Sequence, residues 1–134
     1  MIAVVDTNVL VSGLINPTGP PGRIVDLLRA GVLTLAVDDR IVAEYEDVLR
    51  RPELAPYFAR SDVDHVMEYV RTASTRVVST RHVEGLPDVG DAPFLEVALE
   101  ASCVLVTGNA KHFPKARRET CVVESPAEFM KRFS

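Results

Sequence analysis

The chain has 134 residues, 47% of them apolar and 25% charged, enough for one globular core and unlike a disordered or fibrous composition. No apolar run approaches the roughly 20 residues that span a bilayer, and Met1-Ile2-Ala3-Val4-Val5 meets Asp6 without a basic leader, so neither a membrane anchor nor a signal peptide is expected. A net charge of −4 excludes holding nucleic acid by bulk electrostatics, and two cysteines, Cys103 and Cys121, are too few for a disulfide framework, which points to reduced thiols in a cytoplasmic protein.

Strand-like and helix-like runs alternate along the chain. Residues 2–5 read as a strand buried on both faces. Residues 16–22, rich in Gly and Pro, form a loop, and residues 23–30 show helical spacing through Ile24, Leu27 and Leu28, stopped by Gly31. Residues 32–37 make a second strand. Asp38-Asp39 then offers the N-cap of a helix with Ile41, Val42, Tyr45, Val48 and Leu49 on one stripe, ended by Pro52. After an irregular or short helical stretch at 56–60, Ser61 is expected to cap a helix to about Ala73, with Asp64 completing a capping box.

Residues 76–79 form a short strand and residues 80–90 a polar loop. Asp91 is expected to cap a helix over 92–101, with Pro93 in its first turn. Residues 103–107 are the most strand-like run, residues 121–124 the last strand, and Ser125-Pro126 opens a terminal helix containing Phe129, Met130 and Phe133. With no repeat or linker, the order predicts one α/β domain over 1–134, a doubly wound parallel sheet of about five strands with helices on both faces.

Open parallel sheets bind ligands outside the carboxyl ends of their strands. The first strand exits into Asp6-Thr7-Asn8, and the second into Asp38-Asp39, with Glu44 and Glu46 on the following helix. The loop before Ala92 carries Asp88 and Asp91, and the strand over 103–107 exits into Thr107-Gly108-Asn109. Four segments can thus deliver oxygen ligands to one edge. Two carboxylates 4 Å apart repel by about 4 kcal/mol at an effective dielectric of 20, a penalty that a hard divalent cation removes. Taken singly, only Asp6 favours chemistry over a structural role. Asp38, Asp39 and Asp91 are explained as caps and Asp88 as a turn residue, and periodicity does not choose between Glu44 and Glu46. His65, His82 and His112 lack metal-ligand spacing, which favours solvated or structural roles, and Ser12 has no neighbouring His–acid pair.

Nearly the whole chain resembles the PIN-domain ribonucleases, and more closely the bacterial and archaeal subgroup described as toxins of toxin–antitoxin pairs. The resemblance rests on Val4-Val5-Asp6-Thr7-Asn8-Val9-Leu10, Glu44-Tyr45-Glu46-Asp47-Val48-Leu49, Asp88-Val89-Gly90-Asp91-Ala92-Pro93-Phe94-Leu95, Val106-Thr107-Gly108-Asn109 and Lys111-His112-Phe113-Pro114. It implies that Asp6, Glu44 and Asp91 bind Mg²⁺ or Mn²⁺ and activate water for in-line hydrolysis of RNA, leaving a 3′-hydroxyl and a 5′-phosphate. Thr7, Asn8, Asp88, Thr107 and Asn109 would support those acids. Asn109 stands where many PIN domains carry a fourth acid, so the site keeps three core carboxylates and favours one tightly held ion.

Lys111, Lys115, Arg117 and Arg118 are the expected contacts to the RNA backbone. The implied partners are RNA, a small antitoxin protein and a second copy of the chain, with no membrane. The terminal helix and Pro56-Tyr57-Phe58 are candidates for a dimer face or antitoxin groove, although ordinary core explains both. A haloacid-dehalogenase-type phosphotransferase needs a second Asp where Asn8 stands, and a receiver domain needs an acidic pair beside Asp6. The stronger rival is a catalytically silent PIN-fold binding module, favoured by Asn109 and disfavoured by the three retained acids.

Overall fold

The computed structural model describes residues 1–134. Its strands are β1 (Ile2–Val5), β2 (Thr34–Val37), β3 (Thr75–Arg76), β4 (Val104–Val106) and β5 (Val123–Glu124). Its helices are α1 (Thr7–Ile15), α2 (Pro20–Arg29), α3 (Asp39–Leu49), α4 (Arg60–Ala73), α5 (Ala92–Ala101) and α6 (Pro126–Met130). The strands form one parallel sheet in the order β3-β2-β1-β4-β5. The chain winds outward from β1 to β3, then crosses back to lay β4 against the other side of β1. That reversal between β1 and β4 is where an open parallel sheet leaves a crevice beyond its carboxyl ends.

Successive strand residues point to opposite faces. Val4, Val5, Leu35, Ala36, Val37, Leu105 and Val106 are all fully buried, so helices cover both faces, as the unbroken apolar runs predict. Burying each such Val or Leu contributes roughly 1.5–3 kcal/mol before chain entropy is counted. Tyr45 of α3 packs against Phe94 of α5 with ring centroids 6.3 Å apart. Phe129 and Met130 of α6 are buried in the same core, so these two side chains of the terminal helix face inward.

Strands β2, β4 and β5 are shorter than the sequence-based expectation, and α1, α2, α4 and β3 differ from it more substantially. Helix α1 was not foreseen, because Thr, Val and Gly have low intrinsic helix propensity. Its Val9, Leu10, Gly13 and Leu14 are nonetheless buried, and tertiary packing against α2 overrides that propensity. A Cβ added at Gly13 would lie 2.7 Å from the Pro21 carbonyl oxygen and 2.8 Å from Val25 Cγ2, so this glycine lets the two helices close up. Helix α2 starts at Pro20, earlier than expected, because proline is suited to the first helical turn. Helix α4 starts at Arg60, where Asp62, not Asp64, accepts the Ala59 N–H at 3.1 Å. Strand β3 covers only two residues, because the chain then turns away to Ser79, whose hydroxyl donates to the Glu96 carbonyl at 3.3 Å.

Cys103 and Cys121 are free and partly buried. Burial raises both thiol pKa values, that of Cys121 to about 11, so both stay protonated and unreactive. No helix is long and apolar enough to cross a membrane.

Candidate metal centre at the strand ends

Register sets the geometry of the rim. Val5 of β1 pairs with Val106 of β4, so Asp6 and Thr107 leave the sheet side by side, and the Asp6 N–H donates to the Val106 carbonyl at 2.8 Å. Asp6 occupies the N-cap position of α1, yet its carboxylate makes no capping bond. It accepts instead from the Thr107 hydroxyl at 2.8 Å and from Asn8 Nδ2 at 3.4 Å. The Thr107 oxygen also accepts the Asn109 N–H at 3.0 Å, which leaves the hydroxyl proton directed at Asp6. Across the crevice, the Gly108 N–H donates to Asn8 Oδ1 at 3.1 Å and ties the β4 exit to α1.

Glu44 reaches the same rim from α3. Its neighbour Tyr45 is fully buried and donates its hydroxyl to the Val5 carbonyl, which pins α3 to the end of β1. The Thr7 hydroxyl then donates to Glu44 Oε2. Glu46 points elsewhere and pairs with Arg50 and Arg71. Asp38 and Asp39 are also accounted for. Asp38 accepts the Ile41 N–H at 3.0 Å and pairs with Arg40 at 2.7 Å, and Asp39 pairs with Arg76 at 2.6 Å.

Asp91 was expected to cap α5, and it does not. A 3₁₀ turn over Val89–Asp91 precedes the helix and is capped by Asp88, which accepts the Gly90 N–H at 2.9 Å. Asp91 therefore has helical backbone and a buried carboxyl group free of capping duty. Glu96, one and a half turns on, secures the preceding loop from inside. It is 3% exposed, pairs with Arg40 at 2.8 Å, and accepts the buried Val83 N–H at 2.8 Å.

The three acids share one electrostatic environment. Burial raises the Asp6 pKa to about 6, with the charge of Asp91 adding to the rise and the Thr107 bond opposing it. Burial is also the main cause of the rise at Glu44, opposed by Thr7 and augmented by Asp6 and Asp88. At Asp91 burial again leads, followed by Asp88, with His112 opposing and Glu44 adding. Asp6 thus feels Asp91, Glu44 feels Asp6 and Asp91 feels Glu44, although they come from the exit of β1, from α3 and from the turn before α5. The residues fit a divalent cation on chemical grounds: the acids are desolvated and mutually repelling, and Asp91 Oδ2 is fully buried without a directed hydrogen-bond donor. Such a set gains most from a hard positive charge.

His112 is the residue that sequence spacing missed. It ends a 3₁₀ turn over Ala110–His112 after β4, and its Nδ1 lies 2.9 Å from Asp91 Oδ2. Asp88, Asp91 and His112 each offer one ligand atom, and these atoms lie within 4.8 Å of one another. The available signal was position, because His112 follows the exit of β4 much as Glu44 follows that of β2. The basic residues fall on the same β4–β5 connection. Lys111 and Lys115 are exposed, while Arg118 is engaged with the Phe113 carbonyl at 2.6 Å and the Ala110 carbonyl at 3.4 Å. The Arg117 guanidinium lies against Gly85.

The chain aligns with the uncharacterized protein MJ1680 of Methanocaldococcus jannaschii at 26% identity, over 97% of this chain and 90% of that protein. Its structure is similar to that of VapBC2 from Rickettsia felis bound to a DNA fragment from their promoter, with a TM-score of 0.56 and 16% identity. That superposition covers 93% of this chain and 98% of the other, and at this identity it speaks to the fold alone. Residues 3–111 match the PIN domain, a span that begins inside β1 and ends one residue short of His112. The chain belongs to the PIN domain family.

Proposed function

We propose that this protein is a ribonuclease that hydrolyses RNA phosphodiester bonds with Mg²⁺ or Mn²⁺, and that residues 1–134 act as one nuclease unit. The supporting observation is the group formed by two buried acids, Asp6 and Asp91, and the half-buried Glu44, each of which has its pKa raised by burial and by the charge of another member delivered from a different element. These acids are the proposed metal ligands. A bound ion would supply water activation and neutralise charge developing on the phosphoryl group.

The chain's own residues fix the geometry around that ion. Thr107 holds Asp6 through a hydroxyl whose direction is set by the Asn109 N–H. Thr7 holds Glu44, and Asn8 clasps the Gly108 backbone. Such supporting bonds typically affect metal affinity or activity by about 10–100-fold. Lys111 and Lys115, exposed beside the rim, are the best placed of the basic residues to meet phosphates. Arg118 has a structural share through its two backbone bonds. In the cell we assign the protein as the toxin of a pair, held in check by a small antitoxin protein and pairing with a second copy of itself. The sequence resemblance and the likeness to a VapBC2 structure support that assignment.

The test is cleavage of a mixed RNA substrate with Mn²⁺, with EDTA, and by Asp6→Asn. Cleavage by the wild type alone, lost in EDTA and reduced at least about 10²-fold in the variant, is the expected result. Equal cleavage by Asp6→Asn would remove the assignment. Asn109, in place of an acid, favours a second reading in which the chain binds a partner without catalysis. Metal binding without cleavage of any RNA would select that reading.

A further inference from the structure

We propose that His112 is a nitrogen ligand of the cation, entering through Nδ1 beside Asp88 and Asp91, and that it biases this chain toward Mn²⁺ over Mg²⁺. The inference rests on the reading of Asp6, Glu44 and Asp91 as a metal site and adds a donor that those acids do not include.

The contact between His112 and Asp91 has an unusual form. Nδ1 and Oδ2 are 2.9 Å apart, yet Oδ2, buried in a residue only 9% exposed, receives no directed hydrogen bond. An ordinary ion pair would turn the ring N–H onto that oxygen. Two adjacent ligands of an octahedral ion with bonds of 2.0–2.1 Å are, by contrast, separated by about 3 Å with both lone pairs aimed at a third point. The Asp88 carboxylate joins them: Asp88, Asp91 and His112 each offer one ligand atom within 4.8 Å of the other two.

The turn that carries the imidazole is fixed. Phe113 is fully buried next to it, and Arg118 clamps the carbonyls of Phe113 and Ala110 on either side of the turn. Chemically, a neutral nitrogen donor completes the sphere without adding to the repulsion among the carboxylates, where Asn109 adds no charge either. Mg²⁺ dehydrates reluctantly and keeps its water, whereas Mn²⁺, which shares its liking for oxygen, gives up a water for an imidazole more readily.

The test uses the full chain, Mn²⁺ and pulsed electron paramagnetic resonance, with His112→Gln as the variant and a melt in EDTA to show equal folding. Bound Mn²⁺ in the wild type should show ¹⁴N modulation from a coordinated imidazole. In His112→Gln that signal should vanish, and the ratio of Mn²⁺ to Mg²⁺ affinity should fall by about tenfold. Mn²⁺ bound by the wild type without ¹⁴N coupling would overturn the role of His112 and leave the acid site standing. No Mn²⁺ binding by the wild type would overturn both.

Discussion

Asp6 is held in two opposing ways. Thr107 and Asn8 favour its carboxylate, while burial and the neighbouring Asp91 favour the acid, and burial wins, lifting the pKa to about 6. A pKa above the unfolded value of 3.8 means that the folded protein holds this proton more tightly. Stability from this group is therefore fully present below about pH 4 and lost as pH rises through about 6. Glu44 and Asp91 act in the same direction. At 1.36 kcal/mol per unit, the Asp6 contribution is at most about 3 kcal/mol. In EDTA, Asp6→Asn should melt about 3–10 °C above the wild type at pH 7.5 and close to it at pH 4, read by thermal denaturation across that range. A variant less stable than the wild type at pH 7.5 would mean that Asp6 is not strained by its neighbours. Asp6 could be singled out from sequence because an acid directly after a buried strand has no ordinary packing role. Asp91 could not, because an acid before a helix looks like a cap, and only the turn capped by Asp88 shows otherwise. His112 was hidden for another reason: its partner Asp91 lies 21 positions away, beyond any local ligand spacing.

The elements were legible where periodicity reflects burial. Strands β1, β2 and β4 are unbroken apolar runs because both faces are covered, and α3 announces itself through one stripe and a capping Asp38. Helix α1 was not legible, since its residues have weak helix propensity and its stabilisation comes from α2. That dependence gives a prediction. Gly13→Ala would improve local propensity by about 1 kcal/mol but drive a methyl to within 3 Å of Pro21 and Val25. Overpacking of this kind costs about 1–3 kcal/mol, so urea denaturation should show a net loss, and a net gain would mean that the α1–α2 contact yields easily. Because α1 follows directly from Asp6, a shift there would also move the rim. Edge strands β3 and β5 were foreseen in place but not in length: beyond β3 the chain turns so that Ser79 meets the Glu96 carbonyl, and before β5 the Cys121 N–H is taken by the Arg118 carbonyl in a turn.

At the scale of the whole molecule, the sheet order converts sequence distance into proximity. Reversal between β1 and β4 lays the exits of the two strands together, and α3 and the turn before α5 bring Glu44 and Asp91 to the same edge. The parallel class followed from the alternation of strands and helices. The order of the strands did not, because it depends on which apolar faces meet, a property of the assembled core. A net charge of −4 is consistent with this plan, since the acids cluster at the rim and exposed Lys111 and Lys115 lie on the connection beside it. The central claim is that these three distant carboxylates coexist by sharing a cation. Calorimetric titration of Mn²⁺ into the wild type and into Asp6→Asn, Glu44→Gln and Asp91→Asn tests it most directly. Saturable binding that weakens at least about tenfold, or 1.4 kcal/mol, in each variant is the predicted result. Identical isotherms for all four proteins, or no binding by the wild type, would contradict it.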